Sequence, residues 1–246
     1  MTAYVPQRLS RPWMLTSLWF CLALASPLAH SQTACNSDGQ PAPTALFERF
    51  TNADCATCWT DANTPAARPG ALTLDWIVPG SQGDDAALAA AANSDARARL
   101  ASLQRVPATG QDALVTTIAD APPVALRVAH GPAVGNYMGV VIGLSLPPST
   151  NVVLPLTGWV ILLEALPAGT AGSPVPRHLV INSLQPLWNM GKQLSNQETI
   201  SFNDIRAMNI AEGANTQRLR VAAWVQDAQG RILAAVQSAC PPEDKD

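Results

Sequence analysis

The sequence predicts an α+β protein, in which a βαβα unit is followed by a small β-sandwich or barrel-like domain. Three observations support this prediction. Strand-like and helix-like segments alternate up to about residue 120, which is typical of a parallel strand pair with crossover helices. Beyond that point, short apolar segments are separated by Pro and Gly. The last two of these segments have the pattern of a β-hairpin. We therefore expect two domains, at residues 32–120 and 121–246.

The composition favours a folded chain. Of the 246 residues, 48% are hydrophobic and 13% are charged, whereas disordered chains have low hydrophobicity and high net charge. The formal net charge of −3 gives no basic excess that could hold a phosphate backbone. Nucleic-acid binding is therefore not expected.

Residues 1–31 have the pattern of a secretory signal peptide. Arg8 and Arg11 precede an apolar segment from Trp13 to Ala25, which is followed by the small-residue exit Ala29-His30-Ser31. The apolar segment is shorter than the roughly 20 residues that a membrane-spanning helix needs. We therefore expect cleavage, export to the periplasm or the medium, and no stable membrane span afterwards.

The first half of the expected mature chain contains two predicted strands and two predicted helices. The strands are Ala45–Phe50 and Ala71–Val78. A helix opening at Cys55 is expected between them, with Asp54 as its N-cap. The segment Asp84–Gln104 is rich in Ala, Leu and Arg and lacks internal Pro and Gly, so it predicts a longer helix.

The second half contains a series of predicted strands. The clearest signal is the hairpin formed by Arg218–Gln226 and Arg231–Ala239, which flank a four-residue turn ending in Gly230. Four of the seven tryptophans, Trp76, Trp159, Trp188 and Trp224, are expected in the core or on a sheet face. The other strand candidates are Val124–Ala129, Val140–Leu146, Val152–Leu163 and His178–Leu184.

Four of the five cysteines lie in the expected mature chain, and an even number in an exported protein predicts disulfides. Cys35 and Cys240 lie near the two ends of that chain, and the ends of a domain are often close in space. We therefore expect a Cys35–Cys240 disulfide. Such a bond would close a loop of roughly 206 residues and contribute about 5 kcal/mol in the chain-entropy treatment.

The other two cysteines form the motif Cys55-Ala-Thr-Cys58, located after a strand and at the start of a helix. A helix N-terminus stabilises a thiolate through its free N–H groups and its dipole. A second cysteine three residues later can resolve a mixed disulfide. The motif therefore predicts thiol–disulfide exchange with a protein partner, with Cys55 as the attacking thiol, Cys58 as the resolving thiol and no cofactor. Asp54 opposes this chemistry, because a carboxylate beside Cys55 destabilises the thiolate unless it serves as the cap.

Two other interpretations of the motif stay open. The Cys55–Cys58 bond could be a permanent structural disulfide in a non-enzymatic module that binds a component of the cell envelope. The reduced pair could also capture a soft metal ion such as Cu(I).

Metal and haem sites of the common kinds are disfavoured. Trp59 stands where a c-type haem motif requires histidine. A structural zinc site would need further ligands, and the candidates are isolated in sequence. No metal is therefore expected, and the isolated histidines are expected to be surface or core residues. The candidate ligands are Cys35, Cys240, His130 and His178.

Two segments, Phe47–Trp59 and Arg218–Ala235, resemble an uncharacterised family of secreted bacterial thioredoxin-like proteins. In that family a strand ending in Phe-Thr leads into a CxxC, and a β-rich half follows. The resemblance implies a trimmed thioredoxin-like fold for the βαβα unit and leaves the activity undefined. It carries over Cys55 and Cys58 as the site. Thioredoxin-like enzymes also place a cis-proline against their disulfide, and the candidate for this role is Pro107.

Overall fold

The computed structural model describes residues 35–119, 124–148, 152–189 and 199–241. The predicted signal peptide, residues 1–31, lies outside the described residues. Among the described residues, neither α-helix has the length and apolar character that crossing a membrane requires.

The described residues form two α-helices and twelve strands. Helix α1 is Ala56–Thr60 and helix α2 is Ser94–Ser102. The strands are β1 (Cys35–Asn36), β2 (Ala45–Asn52), β3 (Ala71–Val78), β4 (Gln111–Thr117), β5 (Ala125–Val134), β6 (Tyr137–Leu146), β7 (Leu156–Leu166), β8 (Arg177–Leu184), β9 (Leu187–Trp188), β10 (Ile200–Asn209), β11 (Leu219–Gln226) and β12 (Ile232–Gln237).

The strands make two sheets. The smaller sheet has the order β1-β5-β6-β10 and is antiparallel throughout. The larger sheet has the order β12-β11-β7-β8-β3-β2-β4, with β9 added to β7. Within it β3 is parallel to both β2 and β8, and the other pairs are antiparallel.

The predicted division into a thioredoxin-like βαβα domain and a following β-sandwich or barrel is wrong. The protein is mostly β, and its two helices have only five and nine residues. Strands β2, β3 and β4 from the first half share one sheet with β7, β8, β11 and β12 from the second half. The physical reason is that β3 would otherwise leave a free edge, and β8 pairs with that edge.

The predicted helix over Asp84–Gln104 is also wrong, because only its end is an α-helix. Two short 3₁₀ turns precede α2, and backbone donors in this region bond to strand ends. The N–H of Leu88 donates to the carbonyl of Ala53 at 3.0 Å, and that of Asn93 donates to Ile77 at 3.3 Å. The Asn93 side chain then accepts from the N–H of Ala96 and starts α2.

Several predicted elements are present. Strand β3 covers Ala71–Val78 as expected, and β2 extends the predicted first strand to Asn52. The C-terminal hairpin is formed by β11 and β12, with an irregularity at Val225/Gln226. The tryptophans predicted to be core residues, Trp76, Trp159, Trp188 and Trp224, are all buried.

The larger sheet curls until its two edge strands meet. The N–H of Ala119, just beyond β4, donates to the carbonyl of Ile232 at the start of β12, with a nitrogen–oxygen distance of 2.8 Å. Helix α2 packs inside the curl, where Ala96 and Leu100 join a core cluster with Trp159 and other side chains from the sheet.

The smaller sheet covers part of the opposite face of the larger one. The central strands β7 and β11 are therefore buried on both faces, which explains their nearly continuous apolar sequences. On β7, Trp159 and Ile161 point into the curl, whereas Val160 and Leu162 join the core between the two sheets.

A buried ion pair lies inside the curl. Arg99 of α2 donates to Glu48 of β2 through Nε at 2.8 Å and Nη2 at 2.7 Å. The Trp76 indole donates to the same carboxylate at 3.0 Å. The Arg99 guanidinium lies 4.9 Å from the ring centroids of Trp159 and Trp224, a distance typical of cation–π contacts. Each charge of the pair is thus compensated, as burial requires.

Replacing Arg99 with Met should lower the free energy of unfolding by about 3–5 kcal/mol, because it leaves Glu48 buried without its counter-charge. Urea denaturation measures this change. The double variant Arg99→Met/Glu48→Gln should lose less than the single variant. Arg97→Met, which removes an exposed side chain of the same helix and its hydrogen bond to the Pro79 carbonyl, is the matched control and should lower stability by about 1 kcal/mol or less. Equal stability of the Arg99→Met and Arg97→Met proteins would contradict this account.

Candidate functional site

The CxxC motif lies at the carboxyl end of the parallel pair β2/β3. Cys55 and Cys58 form a disulfide with an S–S distance of 2.01 Å. Both cysteines are half-buried, and Ala56 and Thr57 between them are exposed. The Thr57 hydroxyl lies 3.6 Å from Cys55 Sγ. The motif therefore has a solvent-facing side.

Asp54 does not cap α1 as predicted. Cys55 occupies the N-cap position, and no side chain caps this end of the helix. The Asp54 carboxylate instead accepts from the N–H and hydroxyl of Ser81, each at 2.8 Å, and from the N–H of Gln82 at 3.3 Å. Desolvation acts to raise the pKa of Asp54, but these hydrogen bonds outweigh it and the pKa is lowered. A stable anion therefore lies next to Cys55.

Gly80 allows this arrangement of the turn. A Cβ atom at position 80 would overlap the Asp54 carboxylate. The turn from β3 into Ser81 and Gln82 can therefore wrap around Asp54 only because residue 80 lacks a side chain. The carboxylate and the turn stabilise each other.

The loop that carries Pro107 passes beside the disulfide. Asn52 at the end of β2 binds this loop twice, because its N–H donates to Gly110 at 2.8 Å and its side chain donates to Ala108 at 3.1 Å. A Cβ atom at Gly110 would lie 3.5 Å from Cys58 Sγ. In the described part of the chain the cis peptide bond precedes Pro155, and the bond before Pro107 is not cis.

The β7–β8 connection and the start of β8 anchor the other side of α1. The Trp59 indole donates to the carbonyl of Ala171 at 2.7 Å. Arg177 donates to the carbonyls of Trp59 at 3.0 Å and Cys58 at 3.5 Å, and its guanidinium lies 4.7 Å from the Trp59 ring centroid. Residues more than 110 positions away in sequence thus hold the helix that carries Cys58.

A buried carboxylate links Arg177 to the sheet. Asp75 accepts from Arg49 Nε at 2.6 Å and Nη2 at 3.0 Å, and from Arg177 Nη1 at 3.4 Å. It also accepts from the backbone N–H of His178 at 2.6 Å. Burial lowers the pKa of Arg177, and the Asp75 charge opposes that shift. Two guanidinium groups share the Asp75 carboxylate, so these three side chains carry a net positive charge behind the Cys58 peptide, and the Asp61 carboxylate after α1 partly offsets it.

The electrostatics of the motif therefore differ from the prediction. Helix α1 has only five residues, so its dipole contributes less than a full helix would. The Arg177 cluster favours negative charge near the motif, whereas Asp54 disfavours it. The arrangement can support exchange of the disulfide with thiols, and it can equally hold the disulfide as a brace.

The remaining predicted site residues lie elsewhere. The predicted Cys35–Cys240 disulfide is present, with an S–S distance of 2.03 Å, and it joins β1 to the segment after β12. His130 lies beside that disulfide, and His178 follows Arg177 on β8. Among the described residues, the one cluster with metal-ligand spacing does not include Cys55 or Cys58.

Sequence reasoning missed the charged cluster around the motif. Arg49 and Asp75 carried a signal, because each is a charged residue within an otherwise apolar strand, and such residues are rarely buried without a partner. Arg177 gave no comparable signal, since its role depends on the long-range pairing of β3 with β8. Gly110 lies beside Cys58 because of the β2–β4 pairing, which was not predicted either.

Comparison with known proteins leaves the family open. No family model matches the chain, and no curated protein matches it. Among solved structures, the chain is similar to HBP35 of Porphyromonas gingivalis, with 12% sequence identity and a TM-score of 0.50. The similarity covers 85% of this chain and 80% of that one. At this identity the similarity concerns the fold alone, so the resemblance to the secreted thioredoxin-like family stays a prediction.

The stability of the protein should fall in mildly acidic solution through His178. Burial and the nearby Arg49 lower the pKa of His178, and the Asp75 charge only partly opposes them. The unfolded chain therefore binds more protons than the folded one as the pH falls below the ordinary histidine pKa of about 6.5, so stability rises with pH across that range. Urea denaturation at pH 5 and pH 7.5 tests this effect. His178→Gln should lose less stability on acidification than the unaltered protein, and equal losses would contradict the assignment.

Proposed function

We propose that this protein is an exported thiol–disulfide exchange protein that acts through Cys55 and Cys58. The observation that carries the proposal is a half-buried disulfide with an exposed Ala56-Thr57 side at the end of two parallel strands. Redox-active cysteines are typically partly exposed and near positive charge. The Arg177 cluster supplies positive charge behind the Cys58 peptide.

The exchange step follows from the position of each thiol. In the reduced protein, the Cys55 thiolate attacks one sulfur of a partner's disulfide and forms a mixed disulfide, while the partner's other sulfur leaves as a thiolate and takes up a proton. Cys58 then loses its proton and attacks Cys55 Sγ, which restores the Cys55–Cys58 bond and releases the partner's second thiol. Two electrons pass from the cysteine pair to the partner, and the reverse sequence oxidises a partner dithiol.

The surroundings of the two cysteines support different proposed roles for them. Cys55 lies before the exposed residues Ala56 and Thr57, and the Thr57 hydroxyl is close enough to donate a weak hydrogen bond to a Cys55 thiolate. Cys58 is covered by Gly110 on one side and anchored through its carbonyl by Arg177 on the other. These contacts support Cys55 as the attacking thiol and Cys58 as the resolving thiol.

The second candidate is a non-enzymatic binding module that keeps Cys55–Cys58 as a structural disulfide. Two observations favour it. Asp54 is an anion beside Cys55, and α1 is anchored from the β7–β8 side through Trp59 and Arg177. A disulfide in such a setting can brace a short helix that has no side-chain cap.

A trapping experiment and a redox titration separate the two candidates. With Cys58→Ser, Cys55 should accumulate a mixed disulfide with a partner protein or a model disulfide peptide, whereas Cys55→Ser should give much less. The unaltered protein should catalyse insulin reduction and show a Cys55–Cys58 potential above about −300 mV. A potential below that value, together with no insulin reduction, would favour the structural role.

Replacing Asp54 with Asn should accelerate the attack of Cys55 several-fold at pH 7, because removing the neighbouring anion increases the thiolate fraction. The rate of reaction with dithiodipyridine, measured in a Cys58→Ser background, reports this attack. Asp84→Asn is the matched control, since Asp84 is an exposed carboxylate in the 3₁₀ turn that follows Gln82, and its rate should not change. Equal rates for the two variants would show that Asp54 does not govern the reactivity of Cys55.

A further inference from the structure

We propose that Cys35, Cys240 and His130 form a zinc site when the Cys35–Cys240 disulfide is reduced. Both sulfurs and one ring nitrogen of His130 lie within 4.8 Å of one another. Two thiolates and an imidazole are a ligand set that Zn²⁺ favours, and water or a partner group can occupy a fourth position. None of these residues belongs to the Cys55–Cys58 site, so the inference does not depend on the proposed exchange activity.

The spacing of the three ligands suits a tetrahedral ion after a small rearrangement. Zn–S bonds of about 2.3 Å place two sulfurs about 3.8 Å apart in a tetrahedral site. The sulfurs are 2.03 Å apart in the disulfide. After reduction they must therefore move apart by about 1.8 Å more to reach the separation of a tetrahedral zinc site. Rotation of the two cysteine side chains can supply this movement, and His130 is already within reach of both.

The state of His130 is an independent indication of a ligand. Its side chain is buried, with 4% of its surface exposed. Nδ1 lies 3.0 Å from the carbonyl of Gly131, while Nε2 is buried and has no hydrogen-bond partner. Buried polar atoms in proteins are normally satisfied. When Nδ1 carries the proton and donates to Gly131, Nε2 presents a lone pair, and a hydrogen bond to the second nitrogen is what orients metal-binding histidines.

Backbone hydrogen bonds hold the ligands together without the disulfide. Cys35 is directly opposite His130 in the β1–β5 pair. Asn36 and Ala239, the neighbours of the two cysteines, exchange two backbone hydrogen bonds of 3.1 and 2.8 Å. Strand pairing thus fixes Cys35 and His130, and the backbone hydrogen bonds of Ala239 place the adjacent Cys240 beside them. Reduction therefore leaves two thiols and an imidazole gathered at one place.

Metal binding and oxidation exclude each other at this site. A dithiol supplies the two electrons and two protons that convert the disulfide to two thiols, and is itself oxidised to a disulfide. Zn²⁺ then displaces the two thiol protons when it binds. Reoxidation of the cysteines removes both thiolate ligands, so the ion must leave. The site would hold zinc under reducing conditions and release it under oxidising ones.

Zinc titration of the reduced protein tests the proposal. Cys21, Cys55 and Cys58 are replaced by Ser, so that Cys35 and Cys240 are the remaining thiols, and the protein is reduced and kept anaerobic. Competition with a chromophoric chelator should show one Zn²⁺ per chain, and the oxidised protein should bind none. His130→Gln should weaken zinc binding at least tenfold. With Co²⁺ in place of Zn²⁺, the same variant should lack the absorption bands of a tetrahedral site.

The matched control is His178→Gln, which removes a half-buried histidine outside the cluster, one whose Nδ1 also lacks a hydrogen-bond partner, and it should leave zinc affinity unchanged. Circular dichroism follows the fold in every sample. Absence of stoichiometric binding, or equal affinity with and without the His130 imidazole, would overturn the proposal. Unfolding of the reduced protein in the presence of zinc would overturn it too, because the site requires the β1–β5 pairing to persist.

Discussion

The ion pair between Arg99 and Glu48 constrains how the larger sheet and helix α2 pack together. Both side chains are buried inside the curled sheet, and neither charge could stay there alone. The pair requires α2 to lie within the curl and requires β2 to present Glu48 toward it. The rings of Trp159 and Trp224 close over the guanidinium. The curvature of the sheet and the position of the helix are therefore coupled through one charged contact.

Arg49, the residue after Glu48 on β2, connects the inside of the curled sheet to the candidate site. Because successive side chains of a strand point to opposite faces, Glu48 points into the curl, while Arg49 is buried on the other face of the sheet. Arg49 binds Asp75, which also binds Arg177, and Arg177 reaches the carbonyl of Cys58. Two buried charge clusters thus lie on opposite faces of one sheet. The CxxC motif is held by the outer cluster, whose position depends on the same strands as the inner one.

The two disulfides occupy contrasting surroundings. Cys55–Cys58 lies at a half-exposed strand end, with an anion on one side and a cationic cluster on the other. Cys35–Cys240 lies beside a buried imidazole with an unpartnered nitrogen, and strand pairing holds Cys35 in place. These surroundings support different proposals for the two disulfides, namely thiol exchange at Cys55–Cys58 and metal binding after reduction at Cys35–Cys240.

Local signals in the sequence were enough to predict β3, most of β2, the C-terminal hairpin and the pairing of the four cysteines, because alternation, turn residues and cysteine positions act over short distances or at the chain ends. They were not enough for Asp84–Gln104, whose helical composition yields to backbone bonds from Leu88 and Asn93 to strand ends. The joining of both halves into one curled sheet, and with it the contact of Arg177 with the CxxC helix, was decided only by tertiary structure. The reason is that a strand edge or a buried charge is satisfied by whichever partner folding brings to it, and sequence spacing does not record that partner.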